Sequence, residues 1–338
     1  MGVADRLRGT AGGDGRGRSG APSASPRPRV SLRRLLVTGG TGFVGCHLLP
    51  ALRQAFPDAA VQAAEFDVTE AAAVTAALRE MRPDGCVHLA AISAVPAARQ
   101  DPRRAWQVNL LGTLNLAEAI LAHAPDCVFL LASSADAYGR SFRSGALLDE
   151  SAALDPASIY GSTKAAADLA IGALASDGLR AIRVRPFNHI GPGQSAAFVV
   201  TAFAEQVARI AAGVQPPVLR VGQLESRRDF LDVRDVCAAY VACLQRAESL
   251  TPGIIINVAS GVPRRIGDVL DALVALAGIE ARIEVEPSRL RSAEIAVAAG
   301  DASRARALLG WRPSISWERS LRDVLEERRA LCPRPQSP

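Results

Sequence analysis

The stretch TGGTGFVG, Thr38–Gly45, limits the possible folds of this chain more than any other. It directly follows an apolar run, Leu32–Thr38, that reads as a strand, and it opens Phe43–Ala55, whose apolar spacing reads as a helix. Gly39, Gly42 and Gly45 are spaced three apart. The first permits a tight turn, the second lets a pyrophosphate approach the backbone, and the third lets helix pack closely on strand. The helix N-terminus then presents free N–H groups and its positive dipole end to phosphates.

The same rhythm continues. Val61–Phe66 reads as a strand, Ala71–Met81 as a helix, Cys86–Ala91 as a strand and Arg103–Ala122 as one long helix. Cys127–Ser133 and Leu179–Arg185 read as strands either side of a helix at Ile159–Ala175. This alternation predicts an α/β fold, a doubly wound parallel sheet of the Rossmann kind. Beyond Pro186 the rhythm breaks. Helices are expected at Phe198–Gly213, Val233–Arg246, Ile266–Ala277, Ser303–Leu309 and Trp317–Arg329, with strands near Pro217–Val221, Ile254–Val258 and Arg282–Glu286. The expected division is a dinucleotide-binding domain over 31–187, joined by 229–262, and a smaller C-terminal α/β substrate lobe from 188–228 and 263–330.

Charge narrows the function classes. Residues 1–34 hold eight Arg and two Asp, whereas the whole chain is only +5, so the body is nearly neutral. Residues 1–30 read as a disordered basic tail, and the neutral body argues against nucleic acid as a partner. No run of about 18 apolar residues appears and no secretory signal opens the chain, so no membrane partner and a cytoplasmic location are expected. The six cysteines show no paired spacing and the four histidines no ligand spacing, so no metal site is expected.

Lys164 is the only lysine among 39 basic residues; the other 38 are arginine. It closes Tyr160-Gly161-Ser162-Thr163-Lys164, which places a phenol and an ammonium on one helix face, one turn apart. A compact ammonium favours the ionised phenol in a way a planar guanidinium does not. Upstream, FLLASSADAYG (Phe129–Gly139) ends a buried strand with a polar tip at Ser134. Open α/β sheets bind ligands at that end of their strands.

The glycine spacing, Ser134 and Tyr160/Lys164 together resemble the extended short-chain dehydrogenase/reductase superfamily (the NAD-dependent epimerase/dehydratases). The resemblance implies Ser134, Tyr160 and Lys164 as catalytic residues, Tyr160 exchanging a proton with a reacting oxygen while Lys164 and the oxidised nicotinamide lower its pKa. It implies NADP or NAD as cofactor, contacted by Gly39, Thr41, Gly42, Phe43, Val44, Gly45, Asp67, Val68, Leu89, Ala90, Ala91, Asn109, Tyr160, Lys164 and Pro186. Asp67, at the end of a strand, would meet the adenine amino group. Only 21 residues separate Gly45 from Asp67, fewer than relatives use, and the choice between NAD and NADP stays open.

From about Arg34 to Ala330 the chain resembles the GDP-4-dehydro-6-deoxy-D-mannose reductases of that superfamily. RVRPFNHIGPGQ, VGQLESRRDFLDVRDVCAAY and INVASG carry this likeness. It implies a GDP-sugar substrate held by Ser134, Asn188, Arg228, Arg291 and Glu294, and a homodimer through a four-helix bundle containing Asn109 and Tyr160. A GDP-mannose 4,6-dehydratase is the nearest competing reading. It needs an extra acid and base just after Ser134, where this chain has Ala135, which cannot donate a proton, and Asp136. The same motifs are also compatible with a nucleotide-sugar 4-epimerase or a non-catalytic cofactor sensor.

Overall fold

The structure is a computed structural model that describes residues 32–287 and 295–332. The expected basic tail, together with Arg291 and Glu294, lies outside the described residues. In chain order the first part runs β1 (Arg34–Thr38), α1 (Phe43–Ala55), β2 (Ala60–Ala63), α2 (Ala71–Met81), β3 (Gly85–His88), α3 (Val95–Gln100), α4 (Pro102–Trp106) and α5 (Gly112–His123). There follow β4 (Val128–Ala132), α6 (Ile159–Ser176), β5 (Arg180–Pro186), β6 (Asn188–Ile190), α7 (Val199–Ala211) and β7 (Val218–Val221). The rest is β8 (Arg227–Asp232), α8 (Val233–Gln245), β9 (Ile254–Val258), β10 (Pro263–Arg265), α9 (Ile266–Ala277), β11 (Arg282–Val285), β12 (Val297–Ala298), α10 (Ser303–Leu309) and α11 (Trp317–Leu331).

Six strands form a parallel sheet in the order β2-β1-β3-β4-β5-β9. Successive strand residues face opposite sides. Leu35 and Val37 join one core with Leu48 and Leu52 of α1 and Val236 of α8, while Leu36 joins another with Leu78 of α2, Ile120 of α5 and Ile171 of α6. Helices therefore cover both faces, which is the doubly wound arrangement the alternation predicts. The strand order reverses between β1 and β3, and the glycine turn sits at that switch, where ligands bind such sheets. A separate hydrophobic cluster unites Phe203 and Val207 of α7, Leu270 and Leu273 of α9, and Leu321 and Val324 of α11.

Three expectations need correction. The long helix over Arg103–Ala122 is broken: α4 passes into a π-helical turn at Gln107–Leu111 before α5 begins. Asn109 inside that turn spends its side chain on tertiary bonds, and a Cβ on Gly112 would lie 2.6 Å from Val68 Cγ2, so the helix adapts to its neighbours. The second strand ends at Ala63, which leaves Asp67 in the following loop rather than at a strand end. β8 has no counterpart among the expected strands, yet it pairs with β6, β10 and β12 and is the centre of the second sheet. Its RRDFLD sequence looks too charged for a buried strand, although Asp229 is fully buried. The Asp229 carboxylate accepts hydrogen bonds from Ser260 N–H, Ser260 Oγ, Gly261 N–H and Gly300 N–H.

Candidate active site

The glycine turn is shaped for a diphosphate. Gly39 has φ +68°, and a Cβ there would lie 2.8 Å from Ala90 N, so only glycine fits against the end of β3. A Cβ on Gly45 would lie 2.4 Å from Gly40 O, which brings α1 as close to the turn as a helix can come. Gly42, at the N-cap, offers no side chain to satisfy the first N–H groups of α1, and Thr41 and Gly42 are exposed. Uncapped amides beside exposed backbone suit a pyrophosphate. Leu89 N–H donates to Thr38 O and Ala90 N–H to Thr38 Oγ1, so Leu89, Ala90 and Ala91 follow directly along this turn. The Val44 carbonyl accepts from Cys237 Sγ at 3.8 Å, which ties the start of α1 to α8.

Beneath the turn lies a polar chain without any telltale sequence spacing. Thr113 Oγ1 donates to Asn109 O, so its oxygen accepts from His88 Nε2–H at 2.9 Å. His88 Nδ1 then accepts from Thr38 Oγ1 at 2.6 Å. Burial, and then the charge of Lys164, push the His88 pKa down to about 3, so the ring is neutral. Asn109 accepts from Ile92 N–H and donates to Ile92 O and Thr163 Oγ1. Its side chain thus fastens the loop after β3 to the helix that carries Tyr160 and Lys164, which is a positioning task.

Ser134 follows the C-terminal end of β4, and Tyr160 and Lys164 lie one turn apart on α6. Ser158 caps α6 by accepting from Gly161 N–H at 3.0 Å, and a Cβ on Gly161 would lie 2.6 Å from Asp136 O. Glycine there lets the first turn of α6 press on the turn that holds Ser134. Ser134 Oγ accepts from Asp136 N–H, leaving its own O–H for the phenol of Tyr160, to which it hydrogen-bonds.

The protein's own groups do not lower the Tyr160 pKa. Burial raises it, the Asp136 charge adds to the rise, and the Ser134 hydrogen bond opposes both. The phenol is therefore protonated. Lys164 is only 3% exposed, and burial pulls its pKa down to about 8 against the upward pull of Asp168. Asp168, one turn further along α6, is fully buried and accepts Arg185 Nε and Nη2, both at 2.9 Å, and Arg183 Nη1 at 3.1 Å. Arg185 donates on to Tyr138 Oη, which donates to Asn257 Oδ1. Sequence spacing singles out none of Asp168, Arg185 and Tyr138; an aspartate four residues after the lone lysine is the one signal it offers.

The other expected site residues fall around this cluster. Pro186 is buried at the end of β5. Asn188 is exposed on β6 opposite Phe230. The loop after it is bolted on two sides: His47 Nε2 bonds Pro192 O at 2.8 Å, and the His189 ring stacks on Phe43 at 5.9 Å. From α11, Glu327 accepts from Gly193 N–H and Arg328 donates to Gln194 O. Arg228 donates to the carbonyls of Arg227 and Ile295, and so holds the chain just after the segment with Arg291 and Glu294. Asp67 accepts from Thr69 N–H and Oγ1 and from Arg104 at 3.0 Å, bonds that hold its pKa down. Val68 is buried beneath Gly112, and its carbonyl accepts from Asn115.

A parallel sheet with a diphosphate cradle at its switch point, and a Ser/Tyr/Lys cluster at the adjoining strand end, define a dinucleotide-dependent oxidoreductase of the epimerase/dehydratase kind. Residues 36–324 match the family model described as GDP-mannose 4,6 dehydratase, and the chain belongs to that family. It is 38% identical to a GDP-6-deoxy-D-mannose reductase of Pseudomonas aeruginosa over 298 residues, 87% of this chain and 97% of that protein. It is 28% identical to a GDP-6-deoxy-D-talose 4-dehydrogenase of Aggregatibacter actinomycetemcomitans, over 87% of this chain and 96% of that one. The solved structure of RMD from Pseudomonas aeruginosa complexed with NADPH superposes with a TM-score of 0.81 at 36% identity, covering 88% of this chain and 98% of that one.

Proposed function

We propose that this protein reduces the C4 ketone of GDP-4-dehydro-6-deoxy-D-mannose to GDP-D-rhamnose. The observation that carries the reading is the Tyr160 phenol hydrogen-bonded to Ser134, in a chain 38% identical to a GDP-6-deoxy-D-mannose reductase. A reduced nicotinamide dinucleotide held at the Gly39–Gly45 turn would supply the hydride. Tyr160 donates its proton to the oxygen that becomes an alkoxide, and Ser134 donates a hydrogen bond to the same oxygen. Lys164, largely protonated at neutral pH, supplies a positive charge that favours the tyrosinate left behind. Reduction needs the phenol protonated at the start, which burial and Asp136 secure. Ala135 and the exposed Asp136 favour this over dehydration, because Ala135 has no proton to give.

Asn188, Arg228, Arg291 and Glu294 are assigned to the GDP-sugar, and Asp67 to the adenine end of the cofactor. The enzyme works as a cytoplasmic homodimer: its six cysteines are free thiols, and Leu111 and Leu169, beside and on the neighbouring helices α5 and α6, are 51% and 61% exposed. No helix among the described residues is long and apolar enough to cross a membrane.

The test supplies purified protein with the keto sugar and NADH or NADPH, follows loss of nicotinamide absorbance, and assigns the product's C4 configuration by NMR. GDP-D-rhamnose is the expected product. A 6-deoxytalose would correct the face of attack, and conversion of GDP-mannose with no net cofactor oxidation would replace the reading with a dehydratase.

A further inference from the structure

The end of β2 carries information on which dinucleotide the site takes. A Cβ on Gly40 would lie 2.7 Å from the Ala63 methyl, so the glycine turn and the last residue of β2 are in direct contact. Ala64 N–H still donates to Val37 O at 2.8 Å, and Glu65 is the first residue beyond that pairing. It falls about twenty residues past the last glycine of the turn, the separation at which a dinucleotide fold places the group that meets the adenosine ribose. Glu65 is exposed.

The local charge is one-sided. Between Ala60 and Glu70 the chain has three carboxylates, Glu65, Asp67 and Glu70, and no lysine or arginine, although 38 arginines are spread over the whole chain. The guanidinium of Arg104 reaches this loop, but its Nη2 is ion-paired to Asp67 Oδ2 at 3.0 Å and its Nη1 bonds Thr69 Oγ1. Arg53, on α1, donates to Val61 O, further back along β2. A ribose 2′-hydroxyl can donate a hydrogen bond to a carboxylate, and a charged acceptor makes that bond strong. A 2′-phosphate brings further negative charge and offers only acceptors near neutral pH, so the same carboxylate repels it.

We propose that Glu65 is the specificity-determining residue for the cofactor and that it selects NAD(H) over NADP(H). The assignment rests on the dinucleotide lying at the glycine turn, and it is tested by binding alone, apart from any turnover of sugar. NADH and NADPH are titrated separately into the purified protein by calorimetry. The expected result is a Kd for NADH lower than that for NADPH by at least about tenfold, with the gap narrowing as salt is raised. Glu65→Arg, an exposed change, is expected to reverse the order. NADPH binding as tightly as NADH to the unaltered protein overturns the inference and leaves the reductase reading standing. A preference that persists in Glu65→Arg overturns the role given to Glu65. Failure of both dinucleotides to bind overturns the inference and the reductase reading together.

Discussion

Asp168→Asn is the most searching single change. It keeps the shape of the side chain and removes the charge that faces Arg185, which is 2% exposed, and Arg183. The buried pair is bidentate, and Arg185 also stacks over the Tyr138 ring at 4.9 Å, so the guanidinium has no route to solvent. Leaving a buried charge uncompensated costs about 3–5 kcal/mol. In a chain of this length that is a fall in Tm of roughly 4–7 °C.

The wild-type Asp168 pKa is lowered, with the Arg185 hydrogen bonds and charge outweighing burial. Its contribution is therefore fully present above the ordinary carboxylate pKa of about 4 and is lost as pH falls through the lower folded value. Urea melts of wild type and variant across acidic pH measure this: the gap between them should close as pH falls. A companion protein with Asp168→Leu and Arg185→Met removes both charges and should lose less than the single change. A loss below about 1 kcal/mol in Asp168→Asn, or a larger loss in the double replacement, would refute the reasoning.

Four further outcomes are expected. Tyr160→Phe should keep cofactor affinity, measured by calorimetry, and lose roughly 100- to 10,000-fold in kcat for keto-sugar reduction. Lys164 has a depressed pKa, so its proton is lost as pH rises through about 8, and kcat should fall over that interval in a pH–rate profile. Lys164→Arg should fold, judged by circular dichroism, and lose most activity, because a planar fork does not fit a cavity that leaves the lysine 3% exposed. Gly45→Ala should abolish measurable dinucleotide binding, since its Cβ would collide with the Gly39 and Gly40 carbonyls, which are backbone and cannot swing aside.

The parts legible in sequence are those where local pattern and tertiary role agree. The helices Phe43–Ala55, Ala71–Met81, Ile266–Ala277 and Ser303–Leu309 and the strand Ile254–Val258 have the expected bounds, because apolar period and flanking breakers mark both ends. Tyr160 and Lys164 lie one turn apart on α6, as their spacing implied, and Ser134 hydrogen-bonds the Tyr160 phenol. What stayed hidden is set by partners remote in sequence. In the charged strand Arg227–Asp232 the buried Asp229 is satisfied by donors at 260, 261 and 300. The π-turn at Asn109 depends on Ile92 and Thr163, and the direction of the Tyr160 shift depends on burial, which no spacing reveals.

The solitude of Lys164 has a practical side. The 38 other Lys/Arg side chains are all guanidinium groups, so the chain offers a single ε-amine to spectroscopy. Isotopic labelling of lysine alone would give one side-chain ammonium resonance, arising at the site itself and needing no mutagenesis to assign. Its chemical shift, followed against pH and against added dinucleotide, reads directly the protonation of the group proposed here to assist Tyr160. Most enzymes of this size, crowded with surface lysines, do not permit that measurement.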